Sequence, residues 1–448
     1  MKARNLAILL TTGLAFTATA CGGDGGDSSD DNAGGKSVDI TVACQPAKTA
    51  PKQRAAWDAD VKTFEKAHPG VKVKSTDQQP CFDPKTFAAK LAGGQMETVF
   101  LVPVTNYNDV IAKKQAKDIT AFTGQVKNFG DIKQDVRDMV TKEGKVYGIP
   151  NVSYSVGLVY NRALFKEAGL DPDQPPKTWD EVRTAADKIA GLGDGYVGFG
   201  EYGGGVVGGW HFAQSIFSRG GEMVVDGKAA FNSPEGKAVL QNLKDMRWKD
   251  DSVGSKVLIG WETLMQQMGA GKTGMMLGAP DVVTDVVQKF QGKPDNYGIT
   301  GIPDGKASLS GGEAYMINPK ANEAQTKAAL DWIDFQFNTP GKGRFDYARG
   351  KANGEAVGVP NNDYMGDSPT GQKLAELRAA SAVLPTEYYQ PYLDAGKSVE
   401  LKLEPVKAQE LYAVLDVPMS AVLTRKNADV DKLLKDAETK ANAILANS

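Results

Sequence analysis

The chain has 448 residues, with 52 Lys and Arg against 55 Asp and Glu, and a formal charge of −3. No dense basic stripe accompanies that mildly acidic balance, which argues against nucleic acid as a partner. Only two histidines occur, His68 and His211, so a three-histidine zinc site is impossible and no H-E-x-x-H motif exists.

The N-terminus reads as an address. Lys2 and Arg4 precede an apolar run from Leu6 to Phe16, and Thr17-Ala18-Thr19-Ala20 leads to Cys21. That order is a secretory signal, residues 1–20, too short to span a bilayer as a helix. Cys21 at the cleavage point resembles a bacterial lipobox, in which the thiol is lipidated and becomes the new N-terminus. Ala18 stands where such signals usually carry Leu. Residues 21–36 then form the lipidated cysteine and a tether. Gly22 to Lys36 reads GGDGGDSSDDNAGGK, too polar to offset the entropy of ordering. Loss of Lys2 and Arg4 takes the charge from −3 to −5. No later segment approaches ~18 consecutive apolar residues. The body is therefore expected on the extracellular face of the cytoplasmic membrane, held by its lipid anchor alone.

Strands and helices alternate in the first third. Val38–Ala43 reads as a strand, and Lys52–His68 as a helix with Trp57, Val61 and Phe64 on one face. Pro69-Gly70 stops it before a second strand, Val71–Ser75. Phe87, Ala88 and Leu91 mark another helix, and the unbroken apolar run Val99–Val102 a strand covered on both faces. Such spacing predicts right-handed βαβ units in a parallel sheet, with ligands beyond the carboxyl ends of the strands. Cys44 and Cys81 each follow one of these strands. An even cysteine pair in an oxidising compartment predicts a disulfide, the alternative being two buried thiols.

Further on, Val146–Pro150 and Gly157–Asn161 read as strands flanking Asn151–Ser155. Thr178 and Glu181 form a capping box for a helix, and Ser233-Pro234 opens another to about Lys249. Helices are also expected at Ala321–Asn338, Thr370–Ala382, Pro405–Leu423 and Ala428–Ala446. Glycines crowd Gly191–Gly221, either as a mobile loop lining a cleft or as a tolerant surface loop. Trp57, Trp179, Trp248 and Trp332 occupy helix faces and are assigned to the core.

Catalytic signatures are missing. There is no G-x-S-x-G elbow. Gly269-Ala-Gly-Lys-Thr273 resembles the tail of a phosphate loop, but Gln266 stands where its first glycine belongs. Gly203-x-Gly205-x-x-Gly208 neither follows an apolar strand nor opens a capped helix. Asp171-x-Asp173 is a fragment of a calcium loop without its other ligands. No cofactor is called for. Were the chain a glycoside hydrolase, Asp281 and Glu313 would be its carboxylate pair.

Lys145-Val-Tyr-Gly-Ile-Pro-Asn-Val-Ser-Tyr-Ser-Val-Gly-Leu-Val-Tyr-Asn161 is similar to a block of the bacterial extracellular solute-binding proteins, family 1, the maltose-binding-protein-like components of sugar ABC transporters. Arg162–Leu170, Pro176–Glu181, Lys272–Met276, Gly311–Ile317, Ala329–Phe335 and Asp429–Ala437 resemble further blocks, in family order. The resemblance implies an α/β fold of two lobes joined by crossing strands, with a helical C-terminus and hinge closure over a ligand. It implies one lobe from 37–153 plus 315–348, and another from 154–314 plus 349–448. It also implies a monomer without catalytic residues that delivers a sugar or oligosaccharide to permease subunits.

A sugar site needs flat aromatic platforms and planar polar groups at strand ends and crossings. Gln45 follows the first strand, and Asn106 and Tyr107 the third. Tyr154 lies in the first crossing, Gly312 and Glu313 in the return. Trp210 matches a position where the family often has an aromatic. Asp281 sits where the family often reads G-x-W, without the tryptophan, and Tyr412 falls near its late aromatic platform. A peptide, polyamine or metal-complex binder is the alternative, favoured if carboxylates outweigh aromatics.

Overall fold

A computed structural model describes residues 37–76, 81, 84–203, 207–360 and 363–446. The signal, Cys21 and the tether lie outside these residues. Ser37–Ser448 forms one compact unit.

The first third folds as its periodicity predicts. Strand β1 (Val38–Val42) is followed by helix α1 (Pro51–Ala67), β2 (Val71–Ser75), α2 (Pro84–Ala92) and β3 (Val99–Pro103). β1 pairs in parallel with both β2 and β3. Two strands follow further along the chain. β4 (Gly148–Ser155) runs through the stretch expected to interrupt two strands, and Val156 alone separates it from β5 (Gly157–Asn161). Asn151 to Ser155 extend because a partner far along the chain pairs with them: Ser310 to Met316, on a later strand running antiparallel, match Ser155 to Gly148.

The middle supplies α3 (Trp179–Ala190), β6 (Val197–Phe199), α4 (Gly208–Ser218), β7 (Thr273–Gly278), α5 (Asp281–Lys289), β8 (Tyr297–Gly301) and β9 (Ala307–Ile317). The expected capping box starts α3: Thr178 Oγ1 accepts from Glu181 N at 3.2 Å, and Glu181 Oε2 accepts from Thr178 N at 3.1 Å. α6 (Glu323–Phe337), β10 (Glu400–Lys402) and α7 (Ala408–Thr424) complete the elements that position the site.

Two sheets organise two lobes. The first is six-stranded, in the order β10-β9-β3-β1-β2 with β4 also on β9; the second is four-stranded, β8-β5-β7-β6. β4 and β5 are consecutive yet belong to different sheets, so the chain crosses at Val156. There Val156 N donates to Ser308 Oγ at 2.8 Å, tying the outgoing crossing to the returning strand β9. Helices α1 and α6 cover the first sheet, with Trp57 and Trp332 edge to face at 5.5 Å. Tyr364, Met365 and Leu374 join that same core. The second sheet carries its own, from Leu158 and Phe212 to Leu411 and Val422. Trp57, Trp179 and Trp332 are buried as expected. Trp248 is only half-buried, its indole N–H donating to Val422 O at 2.8 Å.

Candidate functional site

The crossing strands place the first site residues through backbone pairing. Tyr154 on β4 sits opposite Gly311 on β9, and Glu313 opposite both Val152 and Pro103. A Cβ on Gly311 would lie 2.1 Å from Tyr154 Cζ, so glycine is what lets the phenol ring lie across the neighbouring strand. Around this pair lies a cavity of about 390 Å³, a volume suited to a small solute.

Its walls come from both sheets. Pro103, Val104 and Thr105 lead out of β3, Val152 and Tyr154 stand on β4, and Gly311 to Glu313 on β9. Opposite are Trp210 from α4, Pro280 and Asp281 at the start of α5, and Glu404 after β10. Trp210 is held there by close helix packing. A Cβ on Gly209 would come within 2.2 Å of Tyr412 O on α7, so the two helices approach at backbone distance. Asp416 on α7 accepts from Gly209 N at 2.8 Å, at the start of α4, where backbone N–H groups lack intrahelical partners and an acid is favoured. Behind Trp210, His211 is buried with Nδ1 2.5 Å from Glu201.

Three carboxyl groups face this space and differ in their partners. Tyr412 donates its hydroxyl to Glu404, and the Trp210 indole N–H donates to the same carboxyl. Burial nonetheless pushes Glu404 up to about 8, because removing water from the charged form outweighs the indole bond. Asp281 is raised by burial and by nearby Asp285, against the pull of backbone N–H groups at its own helix start. It lies deep in the molecule yet is open to the water in the cleft. Glu313 is raised by burial and by Asp281, against the Arg344 guanidinium. With its amide turned so that nitrogen meets Glu313 O at 2.7 Å, Asn151 accepts from Arg344 Nη1 at 3.0 Å, which fixes that guanidinium. Burial raises the Tyr154 phenol above its usual range, and Asp281, Glu313 and Glu404 add to that rise.

Of the residues expected from sequence, Tyr154, Trp210, Asp281, Gly312 and Glu313 line this one cavity. Asn106 and Tyr107 line a neighbouring cavity of about 530 Å³, which shares Val104, Thr105 and Glu404 with the first. Tyr412 is buried behind Glu404 rather than lining the space. Gln45 stands at the end of β1 but is buried and donates to Asp58 Oδ1 at 3.2 Å. Glu404 and Thr105 are the polar lining side chains that sequence reasoning missed.

Cys44 leaves β1 in the left-handed region, with φ 72°. It is in hydrogen-bond contact with Cys81, which together with burial raises its thiol well above the usual range. The two are thiols, and the expected disulfide bond is not formed between them. Among the described residues no three His, Cys, Asp or Glu side chains converge closely enough to hold a metal ion. No helix among them is long and apolar enough to cross a membrane.

Comparison with known proteins matches this architecture. A Brucella abortus (strain 2308) protein, named as a binding protein, is 24% identical over 441 residues, covering 97% of each chain. An ABC transporter solute-binding protein from Thermotoga lettingae, solved with α-D-tagatose, superposes with TM-score 0.71 at 20% identity, over 92% of this chain and 100% of that one. UgpB from Mycobacterium tuberculosis, solved with glycerophosphocholine, gives TM-score 0.69 at 18% identity, over 92% and 99%. Residues 48–343 match the family described as bacterial extracellular solute-binding protein. The chain therefore belongs to the bacterial extracellular solute-binding proteins, with the two-lobe α/β fold of that family.

Proposed function

We propose that this protein is the lipid-anchored, extracellular solute-binding component of an ABC importer, and that it holds a sugar or oligosaccharide in the cavity at the crossing strands. The observation that carries the reading is the convergence of Tyr154, Trp210, Asp281 and Glu313 on one cavity at the strands that link the two sheets. An indole and a phenol offer flat apolar faces, and the carboxyl groups offer acceptors for paired hydroxyls. Hinge closure about Val156 and Ser308 would bring the Thr105 and Trp210 walls together.

Membrane attachment in this reading runs through Cys21, after removal of residues 1–20, with 21–36 as tether. The lobes are 37–153 with 315–348, and 154–314 with most of 349–448. Tyr364 to Leu374 ride on the first lobe, a reading supported by their membership of its core. A disulfide between Cys44 and Cys81 in the oxidising compartment is supported by their adjacency. The neighbouring cavity past Asn106 offers room for a longer ligand. The protein works as a monomer and passes its solute to permease subunits.

The test is a thermal-shift screen of mono- and oligosaccharides. A ligand at a hundred times its Kd stabilises the folded state by about 2.7 kcal/mol, read as a rise in Tm of a few degrees. Chromatography of the same mixtures should return every sugar intact. Cleaved products would replace this reading with a hydrolase using Asp281 and Glu313.

A further inference from the structure

We propose that the solute taken by this cavity carries a cationic amine: an amino sugar or aminated oligosaccharide, with its ammonium between Asp281 and Glu313 and its apolar face against Trp210. This rests on the reading of the cavity as a carbohydrate site and names the class of carbohydrate.

Charge is the first argument. Among the described residues lining the cavity, three are carboxylic acids and none is Lys, Arg or His. Of the three acids Arg344 acts on Glu313, and its guanidinium is already bonded to Asn151. Lys289, near Asp281, is engaged with Asp285 at 2.8 Å. Glu404, held at about 8, carries little charge at neutral pH, so Asp281 and Glu313 supply the cavity's negative charge, which repels phosphorylated polyols and attracts ammonium.

Unspent hydrogen-bonding capacity is the second, independent argument. Glu404 is filled by Tyr412 and Trp210. Among the described residues no side chain hydrogen-bonds the carboxyl of Asp281, which meets only the backbone at its own helix start, and Glu313 has only the charge of Arg344. Both carboxyls meet the water of the cleft, so they are free to take donors from a ligand, and an ammonium brings three. Among the described residues no three acids converge closely enough to hold a metal ion. Spread around Tyr154, Asp281 and Glu313 suit an ammonium with hydroxyls on the same ring. The Trp210 face adds a platform for the ring and for a cation.

The experiment is calorimetric titration of the full chain at pH 6.5, where glucosamine is protonated. Its probes are glucosamine and its β-1,4-linked dimer and trimer, the N-acetylated counterparts, glucose, maltotriose and sn-glycerol 3-phosphate. The expected result is at least tenfold tighter binding of the amines than of their acetylated or neutral counterparts. Asp281→Asn and Glu313→Gln, both close in shape to the native side chain, should each cut that ratio to threefold or less. Circular dichroism of both variants separates loss of preference from loss of fold. Equal or tighter binding of neutral sugars overturns the amine inference while leaving the carbohydrate reading intact. Preference for sn-glycerol 3-phosphate overturns it as well. Saturable binding by none of the carbohydrates, charged or neutral, overturns both.

Discussion

The two walls of the cavity are built from different chemistry. The wall leading out of β3 presents Pro103, Val104 and Thr105, small and uncharged. The facing wall presents Trp210, Asp281 and Glu404, an indole and two acids. The first wall is an extension of a parallel strand and needs nothing beyond its sheet. The second is assembled from three separate segments, α4, the start of α5 and the stretch after β10, and α4 is in turn docked on α7. The second wall depends more on long-range packing than the first.

Breaking the docking should have the largest effect. Gly209→Val drives side-chain carbon into the Tyr412 backbone, where even a Cβ would sit 2.2 Å from its carbonyl oxygen. We expect a loss of about 3 kcal/mol in denaturant unfolding, together with loss of ligand binding. A Gly209→Val protein of native stability would mean the charged wall does not rely on this contact. Next in size is Trp210→Ala, which removes the platform and one of the two donors to Glu404. Solute affinity should fall roughly 30-fold, about 2 kcal/mol, in isothermal titration.

Glu404→Gln sharpens the comparison through pH. The folded carboxyl sits at about 8 against an ordinary value of 4.5, so the folded state holds this proton more tightly than the unfolded chain does. Its contribution to stability is full below pH 4.5 and declines as pH rises towards about 8. Unfolding followed from pH 5 to 9 should show that decline in the native chain and a flatter profile in Glu404→Gln. The smallest effect is expected at the other wall: Thr105→Val should change solute affinity about threefold or less, since it removes one neutral hydroxyl. A loss as large as that of Trp210→Ala would erase the distinction between the walls.

How much was readable beforehand follows the same division. The βαβ start, the capped helix at Trp179 and the crossing residues Tyr154, Gly312 and Glu313 are written in local pattern and in a family block. Asn151 to Ser155 looked like an interruption because Asn and Ser are poor strand formers; pairing with β9 overrides that preference. Glu404 was invisible because nothing near it in sequence marks a site. Its role arises from Tyr412 and Trp210, brought to it by helix packing. Tyr412 was placed in the right neighbourhood with the wrong task, since its ring is buried and its hydroxyl serves the acid. Gln45 stands at a strand end, as ligand residues often do, but its amide turns to Asp58.

The most direct test of the central claim is a crystal structure grown with the carbohydrate that raises Tm most. The account predicts an intact sugar between Thr105 and Trp210, hydrogen-bonded to Asp281 and Glu313. A sugar bound elsewhere on the molecule, or cleaved fragments in this cavity, would contradict it.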